Sequence, residues 1–392
     1  MPYRGIPFAF NYGKASVPKK GVIMLHINDF KFRLKEHLDE AALNSHSGMM
    51  RTNPELTPFN KIPPDGKPSI LVTLGPKSSS ASSIAEIKKY TKLFRLNGSH
   101  NTIDWHIRVS NLIRKVCPDA LILLDIPGIK PRTNNKNTLE IRRNEAFEFY
   151  HGSESSNKTL KKIELTKPLP RLDQDVGSFS LSDGLYEFEL IDYKPNYISG
   201  ISKNNFQLLP KKGLNIPGSL YDDDLQREVY LDFLYSAKAV DFDAVGLSFI
   251  QNQLTIEDIK AKFPDKLIVS KIENKQGVKN SKQIVNSSDI VMIDRGDLFA
   301  EVGIAGFYEA IIKIANTSLS YKRSLIMATE NLDSMQYRLQ PSKSEVISLQ
   351  HSINLGSNLL MLSDETATSE LYMNTIKWLY EFLQLQKREP IY

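Results

Sequence analysis

The sequence predicts an α/β fold, a (β/α)8 barrel with an inserted small β-barrel lid domain, on three observations. From Ser69 onward eight short apolar runs recur, and amphipathic stretches of helical spacing follow most of them. The runs are continuously apolar, as strands buried on both faces of a parallel sheet must be. One connection, after the third run, is far too long for an unstructured loop, and much of it alternates in strand fashion.

Residues 1–65 are expected to form an N-terminal extension of unknown role. Within it 27–43 has helical spacing, and the Pro-rich stretch that follows reads as a linker. The strand runs then come in order: SILVTL (69–74), KLFRLN (92–97) and ALILLDI (120–126). The insertion occupies 133–213, with strand-like LYEFELIDY inside it and KKGLNIPG at its close. A helical stretch, DDDLQREVYLDFLYSAKAV, leads back to AVGLSF (244–249), KLIVSKIE (266–273), DIVMID (289–294), SLIMATE (324–330) and NLLMLSDE (358–365). The barrel is therefore assigned to 66–132 and 214–388.

The net charge of +5 is small for 392 residues and no dense Lys/Arg tract occurs, so neither a nucleic-acid nor a membrane partner is expected. The one cysteine, Cys117, excludes an internal disulfide or a cysteine metal site. No apolar run approaches the ~18 residues that a spanning helix needs. The N-terminus lacks the layout of a secretory signal, and a cytoplasmic location is expected.

In a barrel of this kind chemistry belongs at the C-terminal ends of the strands. Those ends carry Thr73, Arg95, Asn97, Ser99, His100, Asp125, Arg132, Ser248, Lys271, Glu273, Asp297, Thr329, Ser363 and Glu365. In an extended strand Lys271 and Glu273 face the same way. Asp297 follows the next strand, within reach of Glu273. Two carboxylates with open positions suit Mg²⁺ (or Mn²⁺), and a lysine beside them suits phosphoryl transfer. Arg95 and Arg132 offer forked donors to phosphate. Read from spacing alone, Lys271 and Glu273 also fit a structural ion pair, and Asn97 and Ser99 also fit a turn. No P-loop or GxGxxG motif occurs.

The motifs ILVTLGPKSS, RLNGSHNT, LLDIPGIKPRT, LSDG, KKGLNIPG, SKIENKQGV, RGDL, MATENLDSM, QPSKSE and MLSDETA, spread over 67–385, resemble those of the pyruvate kinase family in order and spacing. The resemblance implies phosphoryl transfer from phosphoenolpyruvate to ADP, or the reverse with ATP, and protonation of enolpyruvate to pyruvate. It implies Lys271 at the transferred group, with Glu273 and Asp297 as metal carboxylates. Arg95, Arg132, Ser248 and Gly296 fall at the phosphate or substrate. Thr329, with Ser363 and Glu365, falls at the protonation step. Asn97, Ser99 and Asp125 match a monovalent-cation site. Thr73, Pro76, His100 and Lys212 fall near a nucleotide.

Departures from the family pattern carry their own expectations. Lys130 stands where potassium-dependent members have Glu, so its ammonium is expected to take the ion's place and K⁺ not to be required. Ile126 replaces a polar residue, Gln251 an arginine, and Thr368 a lysine. Asp294, Glu330 and Asp364 add acid: each alone fits an outward-facing loop change, and the three together would repel a polyphosphate or recognise an amine. The family's C-terminal domain has no counterpart after REPIY, so a homo-oligomer smaller than the family tetramer is expected. Three functions remain open at this point: a working pyruvate kinase-like enzyme, a repurposed homologue acting on another acceptor or keto acid, and a non-catalytic scaffold.

Overall fold

The computed structural model describes residues 67–386, apart from 156 and 173–175. The expectations for residues 1–65, and for residues 66, 387 and 388 of the barrel segment, lie outside the described residues. Eight parallel strands close into a barrel in chain order: Ser69–Leu74, Leu93–Asn97, Leu121–Ile126, Ala244–Leu247, Leu267–Lys271, Ile290–Asp294, Ser324–Ala328 and Leu359–Leu362. The eighth pairs with the first, Ser69 opposite Leu359. Each lies within one of the apolar runs.

Alternation along these strands builds two separate apolar layers. In the first strand Ile70, Val72 and Leu74 point outward, into the core shared with the helices. Leu71 points inward, where it meets Leu123, Val269, Ile290, Met292, Ile326, Leu359 and Met361. These inward residues fill the barrel floor, as side chains do in such barrels. Above them the same inward register turns polar.

Helix starts follow from local chemistry. Thr102 accepts from the amide of Trp105 to open Ile103–Val116, and Asp222 accepts from Asp224 and Leu225 to open Asp223–Ser236. Ser342 and Glu345 form a reciprocal capping box at Lys343–Asn354. The helix Arg295–Ser320 is interrupted at Gly303, whose φ of 74° only glycine adopts without strain.

The insertion forms a six-stranded sheet and two short strand pairs. Its own core is aromatic, with Phe149, Phe179 and Phe188 fully or almost fully buried and the last two stacked at 5.1 Å. Its pairings run past residue 213, since Leu214–Asn215 joins the six-stranded sheet and Ser219–Leu220 pairs with Arg171–Leu172.

Candidate active site

A cavity of about 600 Å³ opens at the C-terminal end of the barrel, walled on one side by Ser182, Asp183, Lys211 and Lys212 of the insertion. Every site residue expected from the sequence lines it except Glu273, Gly296 and Glu365. Glu273 and Glu365 are fully buried behind its wall.

Lys271 is the hub. Its Nζ lies 2.9 Å from Glu273, 3.2 Å from Asp125 and 3.4 Å from Asp294, and donates to Ser248 Oγ at 3.2 Å. Burial works against its charge, but the three carboxylates outweigh it and hold the ammonium protonated well above its ordinary range. Arg95 grips Asp125 from the next strand through Nε at 2.9 Å and Nη2 at 2.6 Å, and reaches Thr73 at 3.1 Å. Burial would raise the Asp125 carboxyl, yet Lys271 and Arg95 together pull it below the usual range.

The carboxylates expected to hold a metal behave differently. Burial pushes Glu273 well above the usual carboxylate range despite Lys271, with Asp294 and Asp297 adding to the rise. Asp297 is pushed up to about 6 by burial, opposed by Lys130 and reinforced by Asp183 and Asp294. Glu273, Asp294 and Asp297 each offer an oxygen within 4.8 Å of the others, an arrangement able to hold a metal ion. The donor set is hard oxygen, as a divalent cation such as Mg²⁺ requires. Glu273 Oε1 is buried and faces the Lys271 ammonium at 2.9 Å. The residues present therefore fit the ion.

Lys130 pairs with carboxylates that the sequence reading did not name as its partners. The sequence reading seated its ammonium beside Asn97, Ser99 and Asp125. Here it binds Asp183 of the insertion at 2.7 Å and also pairs closely with Asp297. The reason is charge: Asp125 is already held by Arg95 and Lys271, whereas Asp183 and Asp297 have Lys130 as their cation. Asn97 Oδ1 accepts from the amide of Ser99, as a turn residue does. Asn97, Ser99, Asp125 and Lys130 all line the one cavity.

Thr329 adopts φ 58° and Glu330 φ 49°, consecutive left-handed residues and a genuine strain for a β-branched side chain. Arg295 holds them there: its Nε donates to Thr329 O at 3.1 Å, and its other nitrogens reach Asn331 and Ser348. Thr329 Oγ1 accepts from the amide of Gly296 at 3.1 Å, which places Gly296 beside the Thr329 hydroxyl rather than on the cavity wall. The hydroxyl proton lies within reach of Asp294 Oδ1 at 3.0 Å and Ala328 O at 2.7 Å. Ser363 lies on the cavity wall, its amide donating to Glu365 at 2.6 Å. Burial raises the Glu365 carboxyl to about 8, and Asp333 adds to it.

The remaining expectations sort by position. Arg132 lines the cavity and donates to Lys211 O at 3.3 Å. His100 also lines it, its imidazole lowered first by burial and then by Arg132. Gln251 is structural, bonded to the Tyr221 amide and carbonyl. Of the added acids Asp294 and Asp364 line the cavity, while Glu330 does not. Asp294 is 6% exposed, so it is no outward loop acid. Arg295, Asp183 and Phe249 were missed by sequence reasoning. Phe249, at φ 61°, gives its amide to Glu273 at 2.6 Å.

The family description "Pyruvate kinase, barrel domain" matches residues 66–376. A pyruvate kinase of Thermococcus litoralis is 27% identical over 328 residues, 80% of this chain and 68% of that protein. One of Trypanoplasma borreli is 27% identical over 328 residues, covering 79% and 64%. One of Methanocaldococcus jannaschii is 30% identical over 331 residues, covering 79% and 67%. The chain thus spans about two thirds of the length of the curated relatives it matches. No helix among the described residues is long and apolar enough to cross a membrane.

Proposed function

The chain belongs to the pyruvate kinase family, and from that premise we propose that it is a phosphotransferase moving a phosphoryl group between phosphoenolpyruvate and ADP, with protonation of the enolpyruvate. The observation that carries this reading is Lys271, a buried ammonium kept charged among Glu273, Asp294 and Asp125 at the cavity wall. Such a fixed cation stabilises charge spread over a phosphoryl group in flight.

Glu273 and Asp297, with Asp294 beside them, would hold a divalent cation, Mg²⁺ or Mn²⁺, which supplies Lewis-acid stabilisation of phosphoryl oxygens when bound. Arg95 orients Lys271 through the shared Asp125 and presents its guanidinium to the phosphate side. Arg132, Lys211 and Lys212 line the same cavity and match a polyphosphate in charge. Thr329 holds a proton on Oγ1 in a cradle built from Gly296 and Asp294, positioned to deliver it to an enolate carbon. The insertion (133–213) acts as a lid through Asp183, which Lys130 ties to Asp297 of the barrel segment (66–132 and 214–388). Asp125 is already satisfied by two cations, which supports turnover without potassium. We place the protein in the cytoplasm.

A second reading, transfer to an acceptor other than ADP, is favoured by one pair of residues. Exposed Asp364 and Thr368 line the cavity where the resemblance expects Gly and Lys. One assay separates the readings: purified protein with Mg²⁺, phosphoenolpyruvate and ADP, following pyruvate, with Lys271→Met as control. Turnover lost by at least about 10³-fold in the variant, and unchanged when potassium is replaced by tetramethylammonium, supports the first. Metal-dependent proton exchange at the pyruvate methyl without turnover supports the second. Neither activity overturns both.

A further inference from the structure

We propose that Asp294 is a third carboxylate of the divalent-cation site, so that this chain holds the ion more tightly than two carboxylates would. The proposal rests on the reading of Glu273 and Asp297 as the metal carboxylates and adds a ligand particular to this sequence, at a position where the resemblance expects Ala.

Three observations carry it. Asp294 ends the sixth barrel strand in the inward register of Ile290 and Met292, so its carboxylate belongs to the barrel mouth. An oxygen of Asp294 falls within 4.8 Å of oxygens of both Glu273 and Asp297. The third concerns their shared cation: Glu273 Oε1, fully buried, and Asp294 Oδ2 converge on the Lys271 ammonium, at 2.9 and 3.4 Å.

Charge balance points the same way. Among the described residues the connected network contains the carboxylates of Asp125, Asp183, Glu273, Asp294 and Asp297 and the cations of Arg95, Lys130 and Lys271. With every carboxylate deprotonated, as metal ligation requires, five negative charges against three positive leave two, the charge of one divalent cation. With alanine at 294 the balance would be a single negative charge. Affinity for hard cations rises with the number of charged ligands.

The test is Mn²⁺ alone, titrated into the full chain without substrate, with the free ion measured by electron paramagnetic resonance. Wild type is expected to bind one equivalent. Asp294→Ala and Asp294→Asn are expected to weaken binding by about tenfold or more, with circular dichroism confirming that both fold. Wild-type affinity in both variants overturns the proposal and assigns Asp294 to Lys271 and Thr329 alone. Mn²⁺ binding that needs phosphoenolpyruvate equally in wild type and variants overturns it too, but leaves the family reading standing. If Glu273→Gln and Asp297→Asn also bind normally, the metal reading itself fails.

Discussion

The floor and the mouth of the barrel interior are made by the same strands and the same two-residue alternation, yet they answer to opposite requirements. On the sixth strand Ile290 and Met292 fill the floor and Asp294 reaches the mouth; on the fifth, Val269 gives way to Lys271 and then Glu273. The floor is dry, apolar and complementary, so each side chain there adds to stability. The mouth buries more carboxylates than it neutralises, and burial first, then the neighbouring carboxylates, push Glu273 and Asp297 upward. Buried charge at the mouth is therefore held in place by the floor rather than by its own pairing.

Truncating the floor should have the largest effect and leave the mouth intact. Ile290 is fully buried four residues below Asp294. Ile290→Ala is expected to lower unfolding stability by about 2–5 kcal/mol, read from the denaturant midpoint. Its Mn²⁺ affinity should change less than about twofold. A large loss of metal binding would show that floor and mouth are not separable.

Glu301 tests the comparison from outside the barrel interior. Its carboxyl lies fully buried in the helix after the sixth strand, taking Asn215 Nδ2 at 3.0 Å and the Tyr221 hydroxyl at 3.4 Å. No cation pairs with it among the described residues, so burial raises it to about 8 from an ordinary 4.5. The sign follows from linkage: between those values the folded state holds a proton that the unfolded chain has released. Stability therefore falls as pH rises through that window and levels off above about 8. One proton corresponds to at most about 1.4 kcal/mol per pH unit, or up to ~2.7 between pH 6 and 8. Glu301→Gln cannot ionise and should flatten that part of the decline in denaturant stability. Equal slopes in wild type and variant would place Glu301 as an ionised, solvated group.

Much of this was legible in the sequence because the barrel obeys short-range rules. Eight apolar runs gave eight strands, and polar residues at their ends gave a cavity. Asp294 was legible too, since the alternation that aligns Lys271 with Glu273 also aligns it with Met292, but its place before RGD read as a loop substitution. Lys130, Arg295 and Phe249 were different. Lys130 depends on Asp183, fifty-three residues away in a turn of the insertion. Arg295 acts by bracing the left-handed turn at Thr329. Phe249 acts through a backbone amide. None of these is written in a residue's type or its near neighbours.

The smallest expected effect is also the most discriminating. In an ordinary buried ion pair, removing one partner destabilises the fold. At the mouth the opposite should hold, because carboxylates exceed cations there in the absence of metal. Asp294→Asn leaves Lys271 with Asp125 at 3.2 Å and Glu273 at 2.9 Å, and an amide oxygen can still accept from Thr329. In chelator, thermal unfolding of this variant is expected to show a gain of about 0.5–1 kcal/mol over wild type. Saturating Mn²⁺ should reverse the order, since a ligand at a hundred times its Kd adds about 2.7 kcal/mol to the protein that binds it. A variant less stable than wild type in chelator would mean that Asp294 serves Lys271 as a structural partner. The mouth would then be balanced on its own, and the contrast with the floor would be one of polarity only.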